Sequence, residues 1–354
     1  MCNLYLSHGK YRINQPFPAK GLKMKKLYFL LIVAYCILAA LAQVSWATSG
    51  ADVDLKLRLE KGKTYNLRTV NDTKMTLSLM GQEMKINQKM GYDITYEVQA
   101  VDDQGNAAIK AAFHSINMEL EIGEVSGKIE YNSVSPAEAE TPAANGPSCR
   151  MVLSKTGKVR EVEGMKEVKT RMMEVLESSG EQETIKEMMR MRFEEMFSDQ
   201  KIVQMMGGVF GMFPDQPVGV GDSWSTTGIT LKDMLKTEMR FSGGAGDLDI
   251  KDMPIAEEHN WTLKERRDGV AVLAVVSVAK PKPEAGATEM EQSKPTLDLA
   301  GEQSGKLELE ESTGWIVSGR MVYRFLGEQK IEDSPMGSIV IPLKAEVTTI
   351  YGPF

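Results

Sequence analysis

The chain has 354 residues, with 42 Lys or Arg against 49 Asp or Glu and a formal net charge of −7. That balance disfavours nucleic-acid binding, because neutralising phosphates requires a basic surface. With only three cysteines, Cys2, Cys36 and Cys149, the sequence offers no disulfide framework.

Met24-Lys25-Lys26 followed by the apolar run Leu27 to Leu41 has the layout of a secretory signal peptide. Met24 is therefore the expected start, and residues 1–23, which lack apolar periodicity, read as an upstream extension. Small residues in Ser45-Trp46-Ala47 place the signal peptide at 24–47, with cleavage after Ala47 preferred over Ala42. An uncleaved membrane anchor is the competing reading, since the run approaches the roughly 20 residues that span a bilayer. Tyr35 is too large for a lipobox before Cys36, and that cysteine lies inside the apolar run. Removal of residues 1–47 leaves 36 basic against 49 acidic side chains, a formal charge of −13. Only Cys149 then remains, so no intramolecular disulfide can form. The expected location is the periplasm or cell envelope, with membrane contact through the signal peptide alone.

From Asp52 onward the pattern is period two. Val53, Leu55, Leu57 and Leu59 alternate with charged residues, as in a half-buried strand. Strand runs follow at Tyr65 to Val70, Lys74 to Leu79 and Met84 to Met90, with Met80-Gly81-Gln82-Glu83 between the last two. Tyr92 to Val98 and Ala107 to Phe113 flank Asp102-Asp103-Gln104-Gly105-Asn106, a hairpin turn rich in residues that accept positive φ. Ser126 to Val134 reads as a strand and Ser135 to Ser148 as an exposed loop. Met151 to Leu153 and Val159 to Val162 form a further hairpin around Thr156-Gly157-Lys158.

The period changes at Gly164. Met165, Val168, Met172, Val175 and Leu176 recur at helical spacing, as do Ile185, Met188, Met189, Phe193, Met196 and Phe197 after Ser178-Ser179-Gly180. Ser179 and Gln182 have the spacing of a capping box for the second helix. A short third helical segment is expected at Lys201 to Met206, stopped by Gly207-Gly208.

Strand patterns return at Trp224 to Thr230, Met239 to Phe241, His259 to Leu263, Val270 to Val278, Gly305 to Glu311, Trp315 to Phe325 and Ser338 to Tyr351. Pro281 to Pro295 reads as a polar linker. Ser126-Gly127-Lys128-Ile129-Glu130 recurs as Ser304-Gly305-Lys306-Leu307-Glu308, and each copy follows a strand, turn, strand unit. This suggests duplication. The predicted fold is mainly β (α+β), with antiparallel curved sheets or an open barrel in two similar halves. An N-terminal β half (48–163) and a C-terminal β half (214–354) flank a methionine-rich helical insertion (164–213).

Leu59-Glu60-Lys61-Gly62-Lys63-Thr64-Tyr65, Met80-Gly81-Gln82-Glu83-Met84 and Pro335-Met336-Gly337-Ser338 leading into Ile341-Pro342 carry a family resemblance. The chain resembles a bacterial exported family catalogued as domain of unknown function 6263. The resemblance implies an exported, β-rich protein over the whole mature chain and carries over no catalytic residue.

Catalytic candidates are few. The mature chain holds His114, His259 and Cys149 as its possible nucleophile and base set, and the plainer reading makes them ordinary strand residues. Glu257-Glu258 and Glu310-Glu311 suit solvation better than calcium binding, because no spacing matches an EF-hand loop. Gly243-Gly244-Ala245-Gly246 lacks the lysine of a phosphate loop. No cofactor is implied, and copper(I) binding by the methionines lacks a supporting His or Cys nearby.

Methionine is the unusual feature, concentrated between Gly164 and Pro214. Methionine side chains suit variable apolar partners, although packing the helices onto the sheet also explains them. The leading expectation is non-enzymatic binding of a lipid or other hydrophobic ligand between sheet and helices. Met165, Met172, Met188, Met189, Phe193, Met196 and Phe197 would face it. The layout resembles periplasmic carriers with a half-barrel under a helical lid, by analogy alone. The alternatives are a structural or protein-interaction module of the envelope and a carboxylate-based enzyme.

Overall fold

A computed structural model of the chain describes residues 52–79, 81–123, 125–132, 146–197, 202–203, 206, 209–226, 255–256, 258–281, 296–334 and 337–354. The expectations for residues 1–51, including the signal peptide and its cleavage site, lie outside the described residues. So do Met239 to Phe241, the glycines at 243–246 and most of the linkers at 135–148 and 281–295.

The strands are β1 (Thr64–Leu79), β2 (Gln82–Val101), β3 (Ala107–Ile122), β4 (Val125–Asn132), β5 (Ser148–Leu153) and β6 (Val159–Glu163). After two helices come β7 (Ser223–Thr226), β8 (Ile255–Ala256), β9 (His259–Arg267), β10 (Val270–Pro281), β11 (Thr296–Glu310), β12 (Ile316–Ser334) and β13 (Gly337–Gly352). They build one antiparallel sheet in the order β6-β5-β3-β2-β1-β13-β12-β11-β10-β9-β7, with β4 paired to β3 and β8 to β10. The sheet is curved and not closed, as the mainly β reading anticipates. β1 and β13 join the chain's two strand groups, through pairs such as Met75↔Ala345 and Thr73↔Val347.

Two gaps between the strand runs read from the sequence are bridged. β1 runs unbroken through Asn71-Asp72-Thr73, and β2 runs unbroken through Gly91. The polar residues interrupt the chemistry of the strand and leave its pairing intact, with Asn71↔Met90 and Thr73↔Gln88 in continuous register.

Val53 to Leu59 alternates as a strand would, yet it forms no ladder. It runs across the turn end of the sheet, the end that holds the β2–β3, β5–β6, β9–β10 and β11–β12 turns, held by separate backbone bonds: Val53 N to Val218 O at 2.9 Å, Leu57 N to Lys155 O at 2.9 Å and Arg58 N to Thr313 O at 2.8 Å. Leu55, Leu57 and Leu59 are buried, so the period-two pattern reports burial of one face correctly and strand pairing incorrectly. This crossing segment ties together the chain before β7, the β5–β6 turn and the β11–β12 turn.

The helices are α1 (Met165–Ser178) and α2 (Glu183–Met196). The capping box does not form. The N-cap of α2 is Gln182 without a side-chain cap bond, while Ser179 Oγ donates to Leu176 O at 2.7 Å and closes α1. Of the third helical segment, Ile202 and Met206 are described and buried.

Similar strand sequences appear in both groups. β2, β3, then β4 with β5, then β6 parallels β9, β10, β11, β12, because β4 and β5 together cover β3 as β11 covers β10. The recurring pentapeptides do not occupy equivalent heights. Gly127 lies opposite Leu120 near the far end of β3, and Gly305 lies opposite Val275 nearer the turn end of β10.

Tyr96, Phe210, Trp315 and Tyr65 form the centre of the turn-end core. Trp315 lies 4.9 Å from Tyr65, 5.2 Å from Tyr96 and 5.4 Å from Phe210 between ring centroids. Burial holds the Tyr96 and Tyr351 phenols far above their ordinary range, so both stay protonated.

At the rim of this end, Arg266 Nε and Nη2 donate to Glu311 Oε1 and Oε2 at 2.7 and 2.8 Å. Those bonds, outweighing the opposing effect of desolvation, hold the Glu311 carboxyl below its usual range. A depressed folded-state pKa contributes stability above the unfolded value that is lost as pH falls through the folded one. The melting temperature is therefore expected to drop as pH falls below about 4.3. Glu311→Gln should flatten that drop while costing at most about 1 kcal/mol at neutral pH, because both partners touch water. Thermal unfolding of both proteins across pH 3 to 7, a range of about four units around these values, checks it. An identical pH profile would assign the acid sensitivity elsewhere.

Candidate functional site

The buried face of the sheet is crossed by a row of directly opposed residues, His259↔Ser277↔Gln303↔Tyr323↔Val347↔Thr73↔Gln88↔Leu120, spanning eight strands. Six of the eight are polar. His259, Ser277, Gln303, Thr73 and Gln88 are all buried.

The rows on either side are apolar. Towards the turn end run Trp261, Val275, Gly305, Met321, Thr349, Asn71, Met90 and Met118. Its two polar members satisfy each other, Thr349 Oγ1 donating to Asn71 Oδ1 at 2.8 Å. Towards the other end, Phe325, Ala345, Met75, Ile86 and Ile122 continue the face. These three rows contain no charged residue.

At one end of the polar row the groups form a network. Gln303 Nε2 donates to Tyr323 Oη at 2.7 Å, which leaves Gln303 Oε1 as the acceptor for Ser277 Oγ at 3.0 Å and His259 Nδ1 at 2.6 Å. His259 Nδ1 also lies 2.7 Å from Ser277 Oγ. Because an amide oxygen only accepts, Nδ1 carries the proton. At the other end Gln88 is 8% exposed, and its Oε1 is buried with no hydrogen-bond partner among the described residues.

The helices cover part of this face. α1 packs on β4 and β5 and α2 on β4. Gly127 on β4 allows the approach, since a Cβ there would lie 2.4 Å from Ile185 Cγ2 and 3.3 Å from Met189 Cε. Met165, Met172, Met189, Phe193 and Phe197 are brought together in the same buried cluster as the sheet side chains. Met188 is half-buried at its margin, and the side chain of Met196 lies outside what is described. The sequence reading missed the sheet's own methionines Met75, Met90, Met118 and Met321, all buried.

Cys149, His114 and His259 have separate environments. Cys149 is buried on β5 opposite Ala111. His114 sits at the β3 bulge with Nε2 2.6 Å from Thr95 Oγ1, and burial holds its imidazole below the ordinary value against the pull of Asp93. Glu311 does more than solvate, through its pair with Arg266.

The outer face is charged. Arg68 pairs with Asp93 at 2.6 Å, Lys128 with Glu130 at 2.7 Å and Arg324 with Glu346 at 2.8 Å. Exposed apolar side chains, Val276, Val278 and Leu326 among them, lie on the same face. Among the described residues no helix is long and apolar enough to cross a membrane.

These features define an open antiparallel sheet with one solvent-facing side bearing ion pairs and one apolar, polar-belted face partly beneath helices. The chain belongs to the Family of unknown function (DUF6263), which matches residues 104–242 and 247–316, more than half of the sequence. The segments at 59–65, 80–84 and 335–342 that carried the resemblance fall outside those spans. No curated protein matches the chain. Among solved structures, one of lipid–protein interactions in lipovitellin is similar over 81% of this chain and 25% of its own, at 10% identity and TM-score 0.37. The chain thus spans about a quarter of that protein. The outer membrane protein OprG from Pseudomonas aeruginosa is similar over 84% of this chain and 100% of its own, at 6% identity and TM-score 0.19. OccK5 (OpdH) from Pseudomonas aeruginosa matches over 83% and 99%, at 6% identity and TM-score 0.20. At these scores none of the three bears on function.

Proposed function

We propose that this is an exported, non-enzymatic binding protein that holds a hydrophobic ligand against the buried face of the sheet, beside and beneath its helices. The observation that carries this reading is the extent of the apolar face. It continues from the helix-covered β4 and β5 across β3, β2, β1, β13, β12, β11, β10 and β9. Flexible methionines line it from both sides: Met165, Met172 and Met189 from the helices, Met75, Met90, Met118 and Met321 from the sheet. Unbranched thioethers adapt to irregular apolar shapes, which suits a ligand of variable chain length. Export is proposed from the signal-like segment 24–47.

Native mass spectrometry on protein released from the envelope without detergent, together with N-terminal sequencing, tests both parts. The expected result is a polypeptide beginning after Ala47 that carries an apolar mass lost on denaturation. A bare polypeptide, or one recovered from the cytoplasm beginning at Met1 or Met24, would count against the respective part.

A further inference from the structure

We propose that the polar row selects an uncharged head group bearing hydrogen-bond donors, a hydroxyl or an amide, on an amphiphile whose hydrocarbon lies along the apolar rows beside it. This rests on the hydrophobic-ligand reading above and narrows it to a ligand class.

Three observations converge on it. The first is Gln88 Oε1, buried and without a donor. Its directly opposed neighbours are Thr73 and Leu120, and a buried amide oxygen left without a donor is unfavourable to the fold. A ligand hydroxyl or amide N–H supplies what this atom lacks. The second is the absence of charge from the polar row and from the two rows flanking it. A phosphate or carboxylate placed there would be desolvated with no cation to pair it, which disfavours anionic amphiphiles. The third is register. Thr73 lies beside Gln88 in the same row, so the site presents a hydroxyl next to the lone acceptor, flanked by Met75 and Ile86 on one side and Asn71 and Met90 on the other.

The purified mature protein would be titrated with three probes of one hydrocarbon chain: monooleoylglycerol, methyl oleate and oleate. Monooleoylglycerol is neutral with hydroxyl donors, methyl oleate is neutral without them, and oleate is charged. Native mass spectrometry reads the binding of each probe. Monooleoylglycerol is expected to bind about tenfold more tightly than either of the others, the ratio that one hydrogen bond to a buried neutral partner supports. In Gln88→Leu, and in the volume-matched Gln88→Met should the first fold poorly, the preference over methyl oleate is expected to vanish while methyl oleate binds as before and oleate stays disfavoured. The variants should melt no lower than the parent, because they remove an unsatisfied polar atom. Equal binding of all three probes to the parent, or tightest binding of oleate, would overturn the head-group assignment and leave the hydrophobic-ligand reading standing. Binding of none would overturn both.

Discussion

Gly157→Val is expected to destabilise the folded protein by roughly 4 to 6 kcal/mol, at the limit of what a domain of ordinary stability tolerates. Gly157 turns the chain between β5 and β6 at φ 78°, and a Cβ there would stand 1.7 Å from Phe210 O and 2.6 Å from Phe210 C. A left-handed backbone alone costs an L-residue about 1 to 2 kcal/mol. The greater part comes from the overlap, because a backbone carbonyl cannot swing aside as a side chain can. Relief requires moving the Phe210 segment off the turn, which draws its ring away from Tyr96 and Trp315 and opens the core at about 3 to 5 kcal/mol. Gly62→Ala separates the two contributions. It has nearly the same backbone, φ 79°, with nothing within 4 Å, so it should lose only the conformational part, about 1 to 2 kcal/mol. Urea unfolding midpoints of the three proteins measure the difference. Equal losses for both variants would show that the segment carrying Phe210 does not bear on the β5–β6 turn in solution.

Most hairpins were legible because their chemistry is local. Asp102 to Asn106 and Thr156 to Lys158 carry the turn residues, and strands appear on both sides of each. The helical stripes were legible too, since Met165, Val168, Met172 and Leu176 form one face whatever covers it. What failed were inferences that needed a partner. Val53 to Leu59 shows one-sided burial, but alternation does not distinguish a ladder from a segment lying across strand ends. Asn71 to Thr73 left a gap between strand runs because a polar residue at an inward position weakens the hydrophobic signal without altering the backbone. The polar row was hidden for the same reason. His259, Ser277, Gln303 and Gln88 lie apart in sequence and share one row only through register. A faint signal existed: Gln88 sits in phase with Ile86 and Met90, and Ser277 in phase with Leu273 and Val275, so each is a polar residue on an apolar parity.

Register also explains how one face can be both core and site. At the turn end the crossing segment adds Leu55, Leu57 and Leu59 to the aromatic group around Trp315, and the space is filled by protein. Beyond it the sheet turns to methionine, and then to hydrogen-bonding groups that are charge-free. The filled core and the polar row lie along the same strands. The turn-end core must therefore hold before the polar row can keep its spacing.

Trp315→Ala tests that dependence and is expected to cost about 3 to 5 kcal/mol, the range for truncating a buried aromatic side chain. The indole is 6% exposed and meets Tyr65, Tyr96 and Phe210, while its Nε1 donates to Asn66 O at 3.3 Å. Removing it takes contacts from β1, β2 and the segment before β7 at once. Phe210→Ala should cost a similar amount. The two losses should not add, since the rings lie 5.4 Å apart and each single variant already abolishes their mutual contact. A double-mutant cycle should give a coupling of about 0.5 to 1.5 kcal/mol, read from urea unfolding with an unchanged denaturant slope. Trp315→Phe keeps a ring in place and should recover more than half of the alanine loss. Strict additivity in the cycle would mean that the two rings are not packed together in solution.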